Sequence, residues 1–496
     1  MKNTMYPKVQ IAISLVNESR LAVRSGEQVD LELPSQGTES KSKESKDKQP
    51  TLAQLRLDAR GYPVLPGSSL KGMLRALCDD TLAETLFGGQ RQCTPQTGEG
   101  PKYLRLNGCV TVQGATALPD FVVSDSVVND TYASIDEVTG TAKDNHLFSQ
   151  AWIEPQTQFD WQLHCEFITH GQLEQLLSIL SNARLQLGAG QKFGYGALTA
   201  AIPKQDGKLK VRVLTQEKLS EWLACQAPKP LDSFYTEKLI APGKDPQQKS
   251  QPAKLCFTLA LTSPDPLLVA SPAYLSRLTE EQKASNSKDK LKNLYFSRDN
   301  DGQPVIPASA LRGMLRARFI KIIRTLNAEI DEKTVQSLWA AIWGDSAKRS
   351  ALIIHDARMA ADARHAKHHQ SMIAIDRFTG GVKDGALFEV EAFTLQGALH
   401  AQCEINHEAL LRNPMATAVL VLVLKDLFEQ KLTIGASKNR GFGRLGGNVL
   451  VNGKPLHSSR DFIQRCLTPL NITQETLLNA LGELKALTPR ELAHDE

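Results

Sequence analysis

Residues 65–76, LPGSSLKGMLRA, return 241 positions later as IPASALRGMLRA at 306–317, with eight of twelve residues identical and Lys71 replaced by Arg312. Ile135-Asp136-Glu137-Val138-Thr139-Gly140, followed by Lys143-Asp144 and Leu147-Phe148, returns as Ile375-Asp376-Arg377-Phe378-Thr379-Gly380 with Lys383-Asp384 and Leu387-Phe388, an offset of 240. LQLGAGQKFGYGAL at 185–198 returns as LTIGASKNRGFGRL at 432–445, an offset of 247, and Leu86-Phe87-Gly88 has its counterpart in Ile342-Trp343-Gly344. Four blocks in one order at nearly constant spacing establish a tandem duplication.

Each copy mixes strand and helix. Val9, Ile11, Ile13 and Leu15 alternate with polar or small residues, as do Leu255, Phe257, Leu259 and Leu261, which predicts a half-buried strand at the start of each copy. After Pro66 and Pro307 the apolar spacing turns helical, through Leu70, Leu74 and Leu77 and through Leu311, Leu315, Phe319, Ile322 and Leu326, with Ser68 or Ser69 and Ser309 placed to cap the helix start. A second helical stretch, a Gly-rich loop and a hairpin follow in each copy, the turns being Asp206-Gly207 and Asn452-Gly453. The fold class is α+β. The polar, proline-bearing segment 241–254 separates the copies, giving a first domain over 1–235, a linker over 236–254, a second domain over 255–457 and a helical extension over 458–496. The stretches 35–50 and 276–293 lack residues able to anchor a core and are expected to be mobile insertions.

With 496 residues, 41% hydrophobic and 23% charged, the chain can bury ample core and wholesale disorder is excluded. Neither a membrane span nor a signal peptide is written in it, so the expected location is the cytoplasm, with no membrane partner. The eight cysteines stand singly and read as reduced, mostly buried thiols. Lys and Arg number 58 against 54 Asp and Glu, and so slight an excess of charge leaves a polyanion partner to be judged from where the cations sit.

They sit in the repeated blocks. P-G-S-S-L-K-G sets unpaired helix-start amides beside serine hydroxyls and a cation, the makings of a phosphate seat, and the repeat keeps the charge at Lys71 or Arg312 and at Arg75 or Arg316. The loops G-A-G-Q-K-F-G-Y-G and G-A-S-K-N-R-G-F-G interleave glycine with cations and aromatics, a composition suited to single-stranded nucleic acid, although Tyr195 and Phe442 serve equally well as core residues. A dinucleotide fingerprint fails because these loops run from helix to strand, and no Walker loop is present. His355, His365, His368 and His369 have no equivalents in the first copy and read as part of a basic loop near a polyanion rather than a zinc site. Asp125 and Asp356 fall at matching positions, as do Asp136 and Asp376, and read as structural caps or hydrogen-bond hubs.

This set of motifs resembles the RAMP superfamily of CRISPR-associated proteins, and within it the backbone subunits of type III effectors, over most of residues 8–200 and 255–447. The resemblance implies two tandem ferredoxin-like (RRM-like) RAMP domains with mobile loop insertions and C-terminal helices. It also implies RNA contacts at Ser68, Ser69, Lys71, Arg75, Gln191, Lys192, Phe193 and Tyr195, and in the second copy at Ser309, Arg312, Arg316, Lys438, Asn439, Arg440 and Phe442. Gly67 and Ser69 become Ala308 and Ala310, so the second seat loses a hydroxyl and some backbone freedom. The implied partners are guide RNA, target RNA and other effector subunits, and the implied role is antiviral defence within a ribonucleoprotein complex. Binding needs no cofactor. Relatives that cut RNA use an acid in the loop ahead of the seat, for which Asp47 and Asp289 are the positional candidates, with Mg²⁺ as the metal such chemistry requires. Two other readings stand beside an RNA-holding subunit: an endoribonuclease that cuts target or precursor guide RNA, and an adaptor that makes protein contacts alone. A processing enzyme with an early histidine base is disfavoured, since the first histidine is His146.

Overall fold

The computed structural model describes residues 4–30, 51–93, 102–122, 126–135, 142–225, 229–243, 253–271, 278, 292–299, 301–383 and 386–487. The segments expected to be mobile insertions, 35–50 and most of 276–293, lie outside these residues, and Asp47 and Asp289 with them.

The first half runs β1 (Met5–Asn17), α1 (Gly67–Leu77), α2 (Asp80–Phe87), β2 (Val110–Val112), β3 (Ala115–Ala117), β4 (Gln158–Thr169), α3 (His170–Asn182), β5 (Ala197–Ala201), β6 (Lys208–Leu214) and β7 (Thr236–Ile240). Its sheet has the order β5–β1–β4–β3, with β2 also on β4. The second half repeats this with β8 (Lys254–Thr262), α4 (Ala308–Leu326), α5 (Glu332–Trp343), β9 (Leu352–Ile354), β10 (Ala357–Met359), β11 (Leu399–Asn406), α6 (Pro414–Phe428), β12 (Arg444–Val451) and β13 (Lys454–Leu456), in the order β12–β8–β11–β10. Strand, helix, strand, strand, helix, strand with the fourth strand beside the first is the ferredoxin-like arrangement, present twice.

The alternation of β1 drives its burial: Val9, Ile11, Ile13 and Leu15 are each at most 2% exposed. Each such side chain contributes about 1.5–3 kcal/mol by leaving water. β1 pairs antiparallel with β4 from Met5↔Thr169 to Val16↔Gln158, and β8 with β11 from Lys254↔Asn406 to Leu261↔Leu399. α3 starts at a capping box, Thr169 with Gln172. The two hairpin turns form as predicted, with Asp206, Gly207, Asn452 and Gly453 all at positive φ. A C-terminal helix, α7 (Gln474–Ala486), is tied to the end of α4 by Asn327 Nδ2, which donates to Leu484 O and Leu487 O at 3.1 and 2.8 Å.

Three local expectations are corrected. The serines do not cap α1 or α4: Pro66 and Pro307 hold the cap positions, and neither start is closed by a serine hydroxyl. Residues 236–240 are not linker, because β7 pairs with β6 from Leu209↔Ile240 to Val213↔Thr236 and so extends the first sheet. The histidine-rich segment is not a loop: Arg364–Met372 is a strand paired with Phe388–Gln396, and its alternation was hidden by polar residues on both faces.

No helix among the described residues is long and apolar enough to cross a membrane. Of the described cysteines, Cys78, Cys165, Cys403 and Cys466 are buried, Cys109 and Cys225 half-buried, and Cys256 exposed. Burial pushes the Cys78 thiol up to about 12 and that of Cys466 to about 11, so thiolate attack at neutral pH is suppressed there. Among the described cysteines, a thiol-exchange reagent is expected to modify Cys256 first and the four buried thiols only after unfolding. Mass mapping of the labelled peptides checks this.

Candidate nucleic-acid interface

The two Gly-rich loops owe their glycines to the protein's own backbone. A Cβ on Gly188 or Gly196 would stand 2.3 Å from Ala22 O or 1.9 Å from Leu187 O, and the second copy repeats the pattern at Gly435 against Leu268 O and Gly443 against Ile434 O. All four have φ near +80°, which L side chains avoid. These glycines seat each loop on its own half.

The first loop also meets the second half. Gly194 lies against the His355 imidazole, where a Cβ would be 2.2 Å from the ring. Tyr195 Oη donates to Asp356 Oδ1 at 2.9 Å, and Arg349 donates to Gln191 Oε1. Arg184 and Lys254 both pair with Glu404. Asp356 Oδ1 also accepts from the Ala308 amide at 2.8 Å, the first residue of α4. Asp356 is thus a hub that caps one helix and receives the preceding half's tyrosine. Burial first, then the Asp356 carboxylate, pushes the Tyr195 phenol well above its ordinary value, so it remains a donor. Tyr195 is 4% exposed, edge-on to Trp152 at 5.0 Å, and Phe442 is 3% exposed, edge-on to His368 at 5.9 Å. Both aromatics are core residues, and the expectation that they stack on bases is corrected.

The strand registers also correct a pairing made from sequence. Cys165 faces Val110 and Ile405 faces Leu352, while Leu65 faces Ala115 and Ile306 faces Ala357, so Asp356 corresponds to Gly114 rather than to Asp125. Asp125 and Asp136 lie outside the described residues. Asp376 accepts from the amides of Phe378 and Thr379 at 2.9 Å each and organises its own turn.

The repeated cations divide by environment. Arg312, expected at an RNA phosphate, is 8% exposed and turned inward: it donates to Ser350 Oγ at 3.0 Å, to Leu352 O at 3.1 Å and to Trp343 O, with its guanidinium 5.2 Å from the Trp343 ring centroid. Burial, then neighbouring Arg316, pushes it down to about 10. In the first half the equivalent anchor comes one helical turn later, where Arg75 donates to Gly88 O. The shared positive charge in these blocks therefore secures the L-F-G and I-W-G turns, and the argument from solvent-facing charge does not hold for Arg75 and Arg312. Lys71 is half-buried, holds no hydrogen bond or ion pair among the described residues, and stays available. Ser68 is exposed, with Ser69 and Ser309 half-buried beside it.

Lys192 is brought together with cations that lie far away in sequence. Partial burial, then Arg312, Arg316 and Arg24, push its ammonium down. Its Nζ lies 5.1 Å from the half-buried Phe193 ring, and the Arg316 guanidinium lies 3.9 Å from the Trp339 ring. Lys438, Asn439 and Arg440 are exposed on the second loop, with Arg440 also touching the Met372 sulfur. Arg24, Arg349 and Arg184 were missed from sequence. For Arg24 a signal existed, because Leu21, Val23 and Ser25 repeat as Leu267, Val269 and Ser271, a fifth block in which Arg24 replaces Ala270.

Among the described residues no cluster of three or more His, Cys, Asp or Glu could hold a metal ion. A search of curated proteins gave no match. The profile of the RAMP superfamily matches residues 18–199 and 228–446, one stretch in each half. Two ferredoxin-like units, joined through the Gly-rich loop of the first and matched one after the other over most of the sequence, place this chain in the RAMP superfamily, with the CRISPR-associated, RNA-binding role that membership carries.

Proposed function

We propose that this chain is an RNA-holding subunit of a type III CRISPR effector, gripping guide RNA through backbone phosphates and contributing to antiviral defence alongside other effector subunits. The observation that carries this reading is the cationic cluster at the junction of the halves: the charges acting on Lys192 are all positive, Arg24 from the first half and Arg316 with the buried Arg312 from α4 of the second. Like charges gathered in a chain of formal charge +4 repel one another, and a polyanion offsets that cost. Lys71 on α1, with Ser68 and Ser69, and Lys438 with Asn439 and Arg440 would extend the contact in each half. Phosphate contacts of this kind need no cofactor.

The test is fluorescence anisotropy with labelled single-stranded RNA across a salt series. Lys192→Glu with Arg316→Glu is expected to weaken binding about tenfold or more and to lower the salt slope by about one per lost phosphate contact. Because the Lys192 ammonium titrates below an ordinary lysine, wild-type affinity should fall as pH rises through that depressed value, and Lys192→Arg should abolish the fall. RNA affinity indifferent to these reversals would favour the adaptor reading instead.

A further inference from the structure

We infer that the chain is a closed pair: the ion pair and the tyrosine–carboxylate hydrogen bond joining its halves are absent from the matching surfaces at its two ends, so a second copy does not add head to tail. The inference is independent of RNA binding. The first half's loop docks on the second half's β9–β10 edge, and a contact between different surfaces of two like units propagates into a filament unless something stops it. The second half's loop and the first half's β2–β3 edge are the two surfaces that would meet in such a filament.

The repeat registers identify what would face what. Leu185 and Leu432 open matching short strands against Leu198 and Leu445, so Arg184, Gln191, Gly194 and Tyr195 correspond to Lys431, Lys438, Gly441 and Phe442. On the receiving edge, Cys165 opposite Val110 matches Ile405 opposite Leu352, so Arg349, His355, Asp356 and Glu404 correspond to Asn107, Gln113, Gly114 and His164.

The ion pair and the tyrosine–carboxylate hydrogen bond of the internal junction are both lost on going to the ends. Arg184 with Glu404, an ion pair, becomes Lys431 with His164, two groups of basic character. Tyr195 with Asp356 becomes Phe442 with Gly114, which removes donor and acceptor together. Arg349 with Gln191 becomes Asn107 with Lys438, a cation and an amide with their places exchanged, so this pair does not tell the two surfaces apart. Lys431 is held by Glu429 within its own half. Gly441 has open space where Gly194 is packed against an imidazole. Repulsive and unmatched groups at one surface, with matched ones at its twin, are how like interfaces are told apart. Any polypeptide that covers either end is therefore an unlike chain.

The experiment is sedimentation equilibrium on the full chain from micromolar concentration to the solubility limit, with and without restoring substitutions. Wild type is expected to stay at the single-chain mass of 54.5 kDa. The triple variant Gly114→Asp, His164→Glu, Phe442→Tyr reinstates two internal pairs at the ends. A Cβ on Gly114 lies 3.7 Å from the Gly67 amide, so the new carboxylate can cap α1 as Asp356 caps α4. This variant should show a weight-average mass that rises with concentration by about twofold or more, the signature of heterologous addition. His164→Glu with Phe442→Tyr alone should show a weaker rise and serves if Gly114→Asp perturbs folding, which thermal unfolding reports. Self-association of wild type would overturn the inference. Folded restoring variants that remain single chains would overturn it as well, since these pairs would then not decide the contact.

Discussion

Arg312→Ala is expected to destabilise the protein by about 2–4 kcal/mol while leaving RNA affinity per folded molecule within about twofold, because its hydrogen bonds run to main-chain oxygens and not outward. Two effects oppose each other. Removing a buried cation relieves desolvation, which burial and Arg316 already register by pushing the group down to about 10. Against that, the Trp343 carbonyl loses a charge-assisted donor at the I-W-G turn and a long side chain leaves a cavity beside Trp343. Charge-assisted bonds contribute about 1.5–3 kcal/mol each, and leaving the acceptor unsatisfied adds to the loss, so the net effect is destabilising. Arg312→Lys keeps the charge but not the fork and should lie between the two. Urea unfolding read by tryptophan fluorescence gives the stability change, and anisotropy on the folded variant gives the affinity. A variant of wild-type stability with crippled RNA binding would contradict the inward role.

Asp356→Ala should cost about 2–4 kcal/mol, the sum of a lost helix cap and a buried tyrosine hydroxyl left without its acceptor. Tyr195→Phe, which removes only the donor, should cost about 1 kcal/mol. The two should not add: once the carboxylate is gone, deleting the hydroxyl relieves an unsatisfied group, giving a coupling of about 1 kcal/mol in a double-mutant cycle. Additive effects would mean that the bond between the halves contributes nothing. A drop in unfolding cooperativity in Asp356→Ala would further show that this hub makes the two halves unfold together.

The duplication, the α+β class, the strand and helix starts and the hairpin turns were written in the sequence, because each depends on local periodicity or on turn chemistry carried by adjacent residues. Val9 to Leu15 alternate whatever lies above them, and Asn452-Gly453 can adopt its turn without distant help. The same locality explains what failed. Tyr195 and Phe442 look identical in kind to stacking aromatics, and only packing on Trp152 and His368 makes them core. Arg312 and Lys71 occupy the same repeat position, yet one is swallowed by the I-W-G turn while the other faces out, since a helix rotates its arginines toward whichever carbonyl lies within reach. Asp356 was matched to Asp125 by spelling, and the strand register moved it to Gly114. The sequence by itself thus determined that there are two like units and what each is made of. The tertiary structure alone decided how they meet, because burial and hydrogen bonding between Gly194, Tyr195, Asp356 and Glu404 depend on residues far apart in the chain, and no local pattern encodes a distance across an interface.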